Sequence, residues 1–86
     1  MIEMNNYELE ARYDSRQSFY GKARVTTTGN GSYLTSYNTV VAEIKDGEVE
    51  VFGTYSPTTL RHIKEYLKQN GFEADTKKQI EEDYIK

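Results

Sequence analysis

The sequence has no cysteine and no tryptophan, a single proline, a single histidine, and no apolar run that approaches the length of a membrane span. Without cysteine there are no disulfides and no thiolate zinc site, so stability must come from packing of the aliphatics with eight tyrosines and three phenylalanines. The first residues carry neither the basic segment nor the apolar core of a signal peptide, which leads us to expect a cytosolic protein, neither secreted by that route nor membrane-embedded. One histidine with no cysteine beside it has nothing with which to complete a metal site or a triad. Gly29-Asn30-Gly31 lacks the Lys-Ser/Thr ending of a phosphate loop, and no Gly-x-Gly-x-x-Gly occurs. No metal, no cofactor and no enzymatic activity are therefore expected.

What is present is 86 residues, read as one domain just above the size at which a core becomes hard to build without staples. The net charge of −3 is small but uneven. From Ser15 to Ala42 there is no acidic residue, while Arg16, Lys22 and Arg24 are basic; acids dominate before this stretch and resume at Glu43. Such a middle permits an anionic partner, but it is far below the Lys/Arg density of a dedicated nucleic-acid binder.

The firmest local signal is a helix over Pro57–Asn70. Ser56 is placed to cap it, Pro57 falls at the first helical position, and Gly71 suits a left-handed stop with Phe72 folding back as its apolar partner. Leu60, Ile63 and Leu67, flanked by Thr59 and Tyr66, form its apolar stripe. A second, short helix is expected within 75–85, with a Thr76…Gln79 capping box and Ile80 and Tyr84 four residues apart.

Alternating segments predict strands at Phe19–Thr28, Ser32–Ile44 (one long strand or two short ones) and Glu48–Thr54, with Asn6–Tyr13 as a fourth. Gly29-Asn30-Gly31 and Asp46-Gly47 supply the turns between them. Alternation puts Leu34, Val40, Ala42 and Ile44 on one face and Tyr33, Thr35, Tyr37, Thr39 and Val41 on the other, with a bulge or register change near Tyr37. The fold class that follows is α+β: an antiparallel meander of three to four strands, one main helix packed on a face, and a short C-terminal helix.

Three groups of side chains invite a functional reading. Tyr20, Lys22 and Arg24, with Tyr33, Tyr37 and Thr39 on the neighbouring strand, mix aromatic planes with positive charge; that mixture suits single-stranded nucleic acid, a protein hot spot, or simply the wet face of a sheet. Ser56, Thr58 and Arg61 at the helix start offer a weak anion site, against which capping alone accounts for Ser-Pro-Thr-Thr. His62 beside the apolar stripe reads as a helix-edge histidine bonded to the sheet rather than as a base, and Glu81, Glu82 and Asp83 read as a solvated helix face rather than a cation site. If the Ser36-Tyr37-x-Thr39 strand runs near the helix start, Ser36, Asn38, Arg61 and His62 form one hydrogen-bonded cluster that either fixes helix to sheet or receives a ligand.

Ser18-Phe19-Tyr20-Gly21-Lys22-Ala23, the strand pattern Leu34-Thr35-Ser36-Tyr37-Asn38-Thr39-Val40-Val41-Ala42-Glu43-Ile44 and the helix start Tyr55-Ser56-Pro57-Thr58-Thr59-Leu60-Arg61-His62-Ile63 resemble a small domain that recurs in hypothetical proteins of bacteriophages and their hosts. The resemblance covers residues 13–72 and leaves the acidic last helix outside. It implies an origin, a phage or mobile element acting in the bacterial cytoplasm, rather than a reaction. The expected function is that of a phage-type accessory protein that binds a host macromolecule, foremost a protein such as a defence-system component, and changes what it does. A nucleic-acid-binding module built on the Tyr/Lys/Arg face is the alternative.

Overall fold

A computed structural model of the chain describes residues 5–13, 21–53 and 56–85. The strands are β1 (Asn5–Glu8), β2 (Ala23–Thr28), β3 (Gly31–Ser36), β4 (Thr39–Lys45) and β5 (Glu48–Val51), followed by helices α1 (Pro57–Gln69) and α2 (Lys77–Asp83). The strands pair antiparallel in chain order, β1-β2-β3-β4-β5. The architecture is the expected α+β meander carrying a main and a short helix, with five strands where three to four were expected.

The extra strand comes from the middle run. Tyr37 adopts a left-handed φ of +58°, and with Asn38 it makes a turn that folds Ser32–Ile44 into β3 and β4. Register then slips between Leu34 and Thr35: Leu34 faces Ala42, whereas Thr35 faces Val40. Val41 is the extra residue of this bulge, and it turns into the core while Val40 turns out, the reverse of what strict alternation predicts. The second hairpin follows its sequence signal, since Asp46 and Gly47 both take positive φ, as a type I′ turn requires. Gly31 is needed for close approach: a Cβ there would sit 1.8 Å from the Ile44 carbonyl oxygen on β4.

Other boundaries differ from expectation for local reasons. β1 ends at Glu8, because residues beyond Leu9 leave the sheet and bond to α1. β2 begins only at Ala23, after Gly21 at φ +75°; Phe19 and Tyr20 lie outside the described residues. β5 ends at Val51, although the Phe52 N–H still donates to the Val41 carbonyl (3.0 Å), and Thr54 lies outside the described residues.

The helix signals act as the side chains dictate. The Ser56 hydroxyl accepts from the Thr59 N–H at 3.2 Å, and Pro57 opens α1. At the other end Gly71, at φ +86°, donates to the Lys68 carbonyl and Phe72 to the Leu67 carbonyl, which is the Schellman bond pair; α1 closes one residue early, with Asn70 as its cap. Thr76 caps α2 by accepting from the Gln79 N–H, and the Gln79 side chain reaches back to the Asp75 N–H. α2 then ends against the sheet: the Val51 N–H donates to the Tyr84 carbonyl, and Val51 bridges Ile85 in parallel.

The core lies between the sheet and the helices. Val25, Leu34, Val41, Ala42 and Val51 from the strands meet Ile63, Tyr66, Leu67, Ala74 and Ile80. Burial of each large aliphatic contributes roughly 1.5–3 kcal/mol. Among the described residues no helix is long and apolar enough to cross a membrane.

Candidate functional site

The stripe α1 turns to the sheet is more polar than its leucines suggest. Thr59, His62, Ile63, Glu65, Tyr66 and Leu67 are buried, while Leu60 is only half-buried. The matching face of β3 alternates Ser32, Leu34 and Ser36. Ser32 Oγ lies 2.6 Å from the Tyr66 hydroxyl, and Ser36 Oγ lies 3.0 Å from Thr59 Oγ1 and 2.8 Å from His62 Nδ1. Helix and strand are therefore joined by a polar seam with Leu34 in its middle.

The hydroxyls of this seam form a directional chain. Ser56 Oγ donates to Thr59 Oγ1 (3.3 Å). Each hydroxyl owns one proton, and the chain is satisfied when Thr59 donates to Ser36 and Ser36 donates to His62 Nδ1. Among the described residues no buried side-chain nitrogen or oxygen lacks a partner. Tyr37 leans over the outer end of the seam, its ring centroid 5.9 Å from that of His62.

Two further buried polar groups tie the seam to its surroundings. Burial pushes the Tyr66 phenol up to about 12, against a lowering by its hydrogen bond to Ser32. Glu65 accepts from the Tyr13 backbone N–H (2.6 Å) and from Gln69 Nε2 (2.7 Å), and Gln69 Nε2 also donates to the Glu10 carbonyl. Through this carboxylate the segment after β1 is held on α1.

The expected site residues fall into two separate groups. Of the cluster expected at the helix start Ser36 and His62 meet, and Thr59 and Ser56 join them. Asn38 stays exposed in the hairpin turn and Arg61 half-buried on α1, and neither has a bond to the seam among the described contacts. Thr58 is exposed in the first turn of α1, and Thr39, directly opposite Ser36, lies exposed at the same rim as Tyr37. Arg24 and Tyr33 belong to the other face of the sheet, so Tyr37 and Thr39 do not join them in one surface. Lys22 is exposed just before β2, where its carbonyl accepts from the Tyr37 N–H, and Tyr20 lies outside the described residues.

That other face carries neither helix. One row across it runs Asn6, Thr26, Tyr33, Glu43, Glu50, and the next runs Glu8, Arg24, Thr35, Val40. Asn6 organises one side: its amide nitrogen donates to Thr26 Oγ1 (2.9 Å), and its oxygen accepts from Arg24 Nε (2.7 Å), which leaves Thr26 buried although it faces outward. Glu43 and Glu50 stand directly opposite each other, and among the described residues neither is in an ion pair. Val40 and Phe52, 43 % and 44 % exposed, end this face on neighbouring strands. Strict alternation would put Val40 on the opposite, core-facing side with Leu34 and Ala42.

No curated protein and no solved structure matches the chain. A family model, described as a family of unknown function (DUF8033), matches residues 7–82. This match reaches beyond the expected 13–72 at both ends, taking in part of β1 and most of α2. It spans the sheet, the seam and both helices, and the chain belongs to this family of unknown function.

Proposed function

We propose that the protein is a non-enzymatic accessory protein that binds another protein through the helix-free face of its sheet. The observation that carries this reading is the exposed pair Val40 and Phe52 at the end of that face, beside Arg24 and Thr35 and next to the opposed carboxylates Glu43 and Glu50. Exposed apolar side chains bordered by charged ones are a common composition of a protein-binding patch. The rim is mostly acidic, with Glu8, Glu43 and Glu50 against Arg24, and the adjoining β4–β5 hairpin adds Asp46 and Glu48 against Lys45. Charge complementarity therefore selects a partner that offers apolar side chains flanked by Lys or Arg.

The same acids weigh against nucleic acid, since Arg24 is opposed by Glu8 and Tyr33 is followed in its row by two carboxylates. Burial weighs against catalysis. Ser36 and His62 have the separation of a nucleophile and its base, yet they are 2 % and 1 % exposed. The phage-type origin, the bacterial cytoplasm and a host protein as target rest on the sequence resemblance, and we propose them on that ground.

The test is capture of partners from bacterial lysate by tagged protein, with and without nuclease, comparing wild type with Phe52→Lys and with the remote Glu81→Lys. The expected result is a partner that survives nuclease, is retained by Glu81→Lys and is lost at least tenfold by Phe52→Lys. Capture that vanishes with nuclease, or that Phe52→Lys leaves intact, overturns the reading.

A further inference from the structure

The edge of β1 that pairs with no other strand among the described residues has the geometry to pair with itself. Leu9 N–H donates to the Ala23 carbonyl at 2.9 Å, and Leu9 and Ala23 continue the β1–β2 register in which Tyr7 faces Val25. Hydrogen-bonded and non-hydrogen-bonded pairs alternate along an antiparallel ladder, so Tyr7 also turns its N–H and C=O toward β2. Asn6 and Glu8 then turn theirs away from the sheet, and among the described residues nothing pairs with them. All four residues of β1 are exposed. Tyr7 is 46 % exposed although it shares the helix-bearing side of the sheet with Val25 and Leu34.

We propose that β1 pairs antiparallel with β1 of a second copy, about a two-fold axis at Tyr7, so that two five-stranded sheets join into one of ten strands. In this register Asn6 of each copy faces Glu8 of the other as a hydrogen-bonded pair. Two N–H groups and two carbonyls from each copy then close four bonds. Tyr7 faces Tyr7 as the non-hydrogen-bonded pair on the axis, where side chains approach most closely, and the two rings cover each other's exposed surface.

The alternatives are poorer. An axis at Glu8 sets two carboxylates directly opposite each other, and an axis at Asn6 carries Glu8 past the start of the facing strand. Side-chain alternation excludes an axis between residues, because directly opposed residues must share a face. The pairing also sets the helix-free faces of both copies side by side, which gives the assembly two binding patches.

The absence of cysteine makes the test clean. Tyr7→Cys places two thiols in a non-hydrogen-bonded pair with Cα atoms about 4.5 Å apart, inside the range a disulfide spans. The expected result is a disulfide-linked dimer of Tyr7→Cys under mild oxidation, formed at least tenfold faster than that of Asn6→Cys, whose partner position is Glu8. In the wild type, sedimentation across a concentration series should show a monomer–dimer equilibrium. Glu8→Pro, which removes an outward donor and leaves the β1–β2 ladder intact, should shift it to monomer. A wild type that stays monomeric at the highest concentration, equal cross-linking of the two cysteine variants, or a dimer that a folded Glu8→Pro retains would overturn the proposal.

Discussion

Ser36 on β3 and His62 on α1 are joined by a 2.8 Å hydrogen bond between Oγ and Nδ1 in a site almost closed to solvent. Ser36 also contacts Thr59, so one strand hydroxyl holds two turns of the helix. Removing it takes one buried hydrogen bond each from Thr59 and His62, and a buried polar group that loses its partner costs about 1–3 kcal/mol. Ser36→Ala is expected to lower unfolding free energy by about 2 kcal/mol in urea titrations, with the slope against urea unchanged. In a double-mutant cycle with His62→Ala the two changes should be less than additive. Full additivity would mean that the bond carries no coupling.

Ser56 belongs to the same chain but at its exposed end, where it caps α1. Ser56→Ala is expected to lower stability by about 1 kcal/mol and to leave partner capture unchanged. A variant that is as stable as wild type yet fails to capture would make the helix start a ligand site instead.

Tyr66 gives the fold an alkaline limit. Its phenol ionises near 10 in the unfolded chain and is pushed up to about 12 when folded, chiefly by burial. The folded state therefore binds this proton more tightly, and the stability it contributes is complete below about pH 10 and is lost as pH rises toward about 12. Stability measured by urea unfolding should fall by about 2 kcal/mol across that window, and Tyr66→Phe should flatten the fall. An unchanged slope in Tyr66→Phe would refute the assignment.

Tyr37 holds a φ of +58°, an arrangement that disfavours any residue with a Cβ. Its ring is half exposed and leans on His62. Tyr37→Gly is expected to raise the stability of the hairpin by about 1 kcal/mol, because relief of the backbone outweighs the loss of a partly exposed ring contact. A lower melting temperature would show instead that the ring packs strongly enough to hold the turn.

The helices were legible in the sequence because their signals are local. Ser56, Pro57, Gly71 and Thr76 act within one turn of where they stand, and each performs the role its chemistry predicts. The Asp46-Gly47 hairpin was legible for the same reason. Tyr37-Asn38 was legible only in part: the run reads as one long strand or two short ones with an irregularity near Tyr37, but nothing in a tyrosine advertises positive φ, so neither the turn nor the exchange of Val40 with Val41 could be placed. The seam was half legible. The link between Ser36 and His62 follows once strand and helix are adjacent, whereas Thr59 was placed on the flank of the apolar stripe but not in the cluster, and Glu65 was passed over because a carboxylate in a helix is read as facing water. Their spacing with His62, three residues apart twice, was the available signal. The mixed Tyr/Lys/Arg face was misjudged because it assumed that Tyr37 and Thr39 stay in phase with Tyr33, and the turn between them moves them to the opposite side.

We assign the seam to architecture and propose the helix-free face for binding, a division that unfolding free energy and partner capture, determined together for Ser36→Ala and Phe52→Lys, can decide. Ser36→Ala is expected to lose stability and keep capture at temperatures where it is folded, while Phe52→Lys keeps stability and loses capture. A folded Ser36→Ala that no longer captures, or a Phe52→Lys that captures as wild type does, would contradict this division.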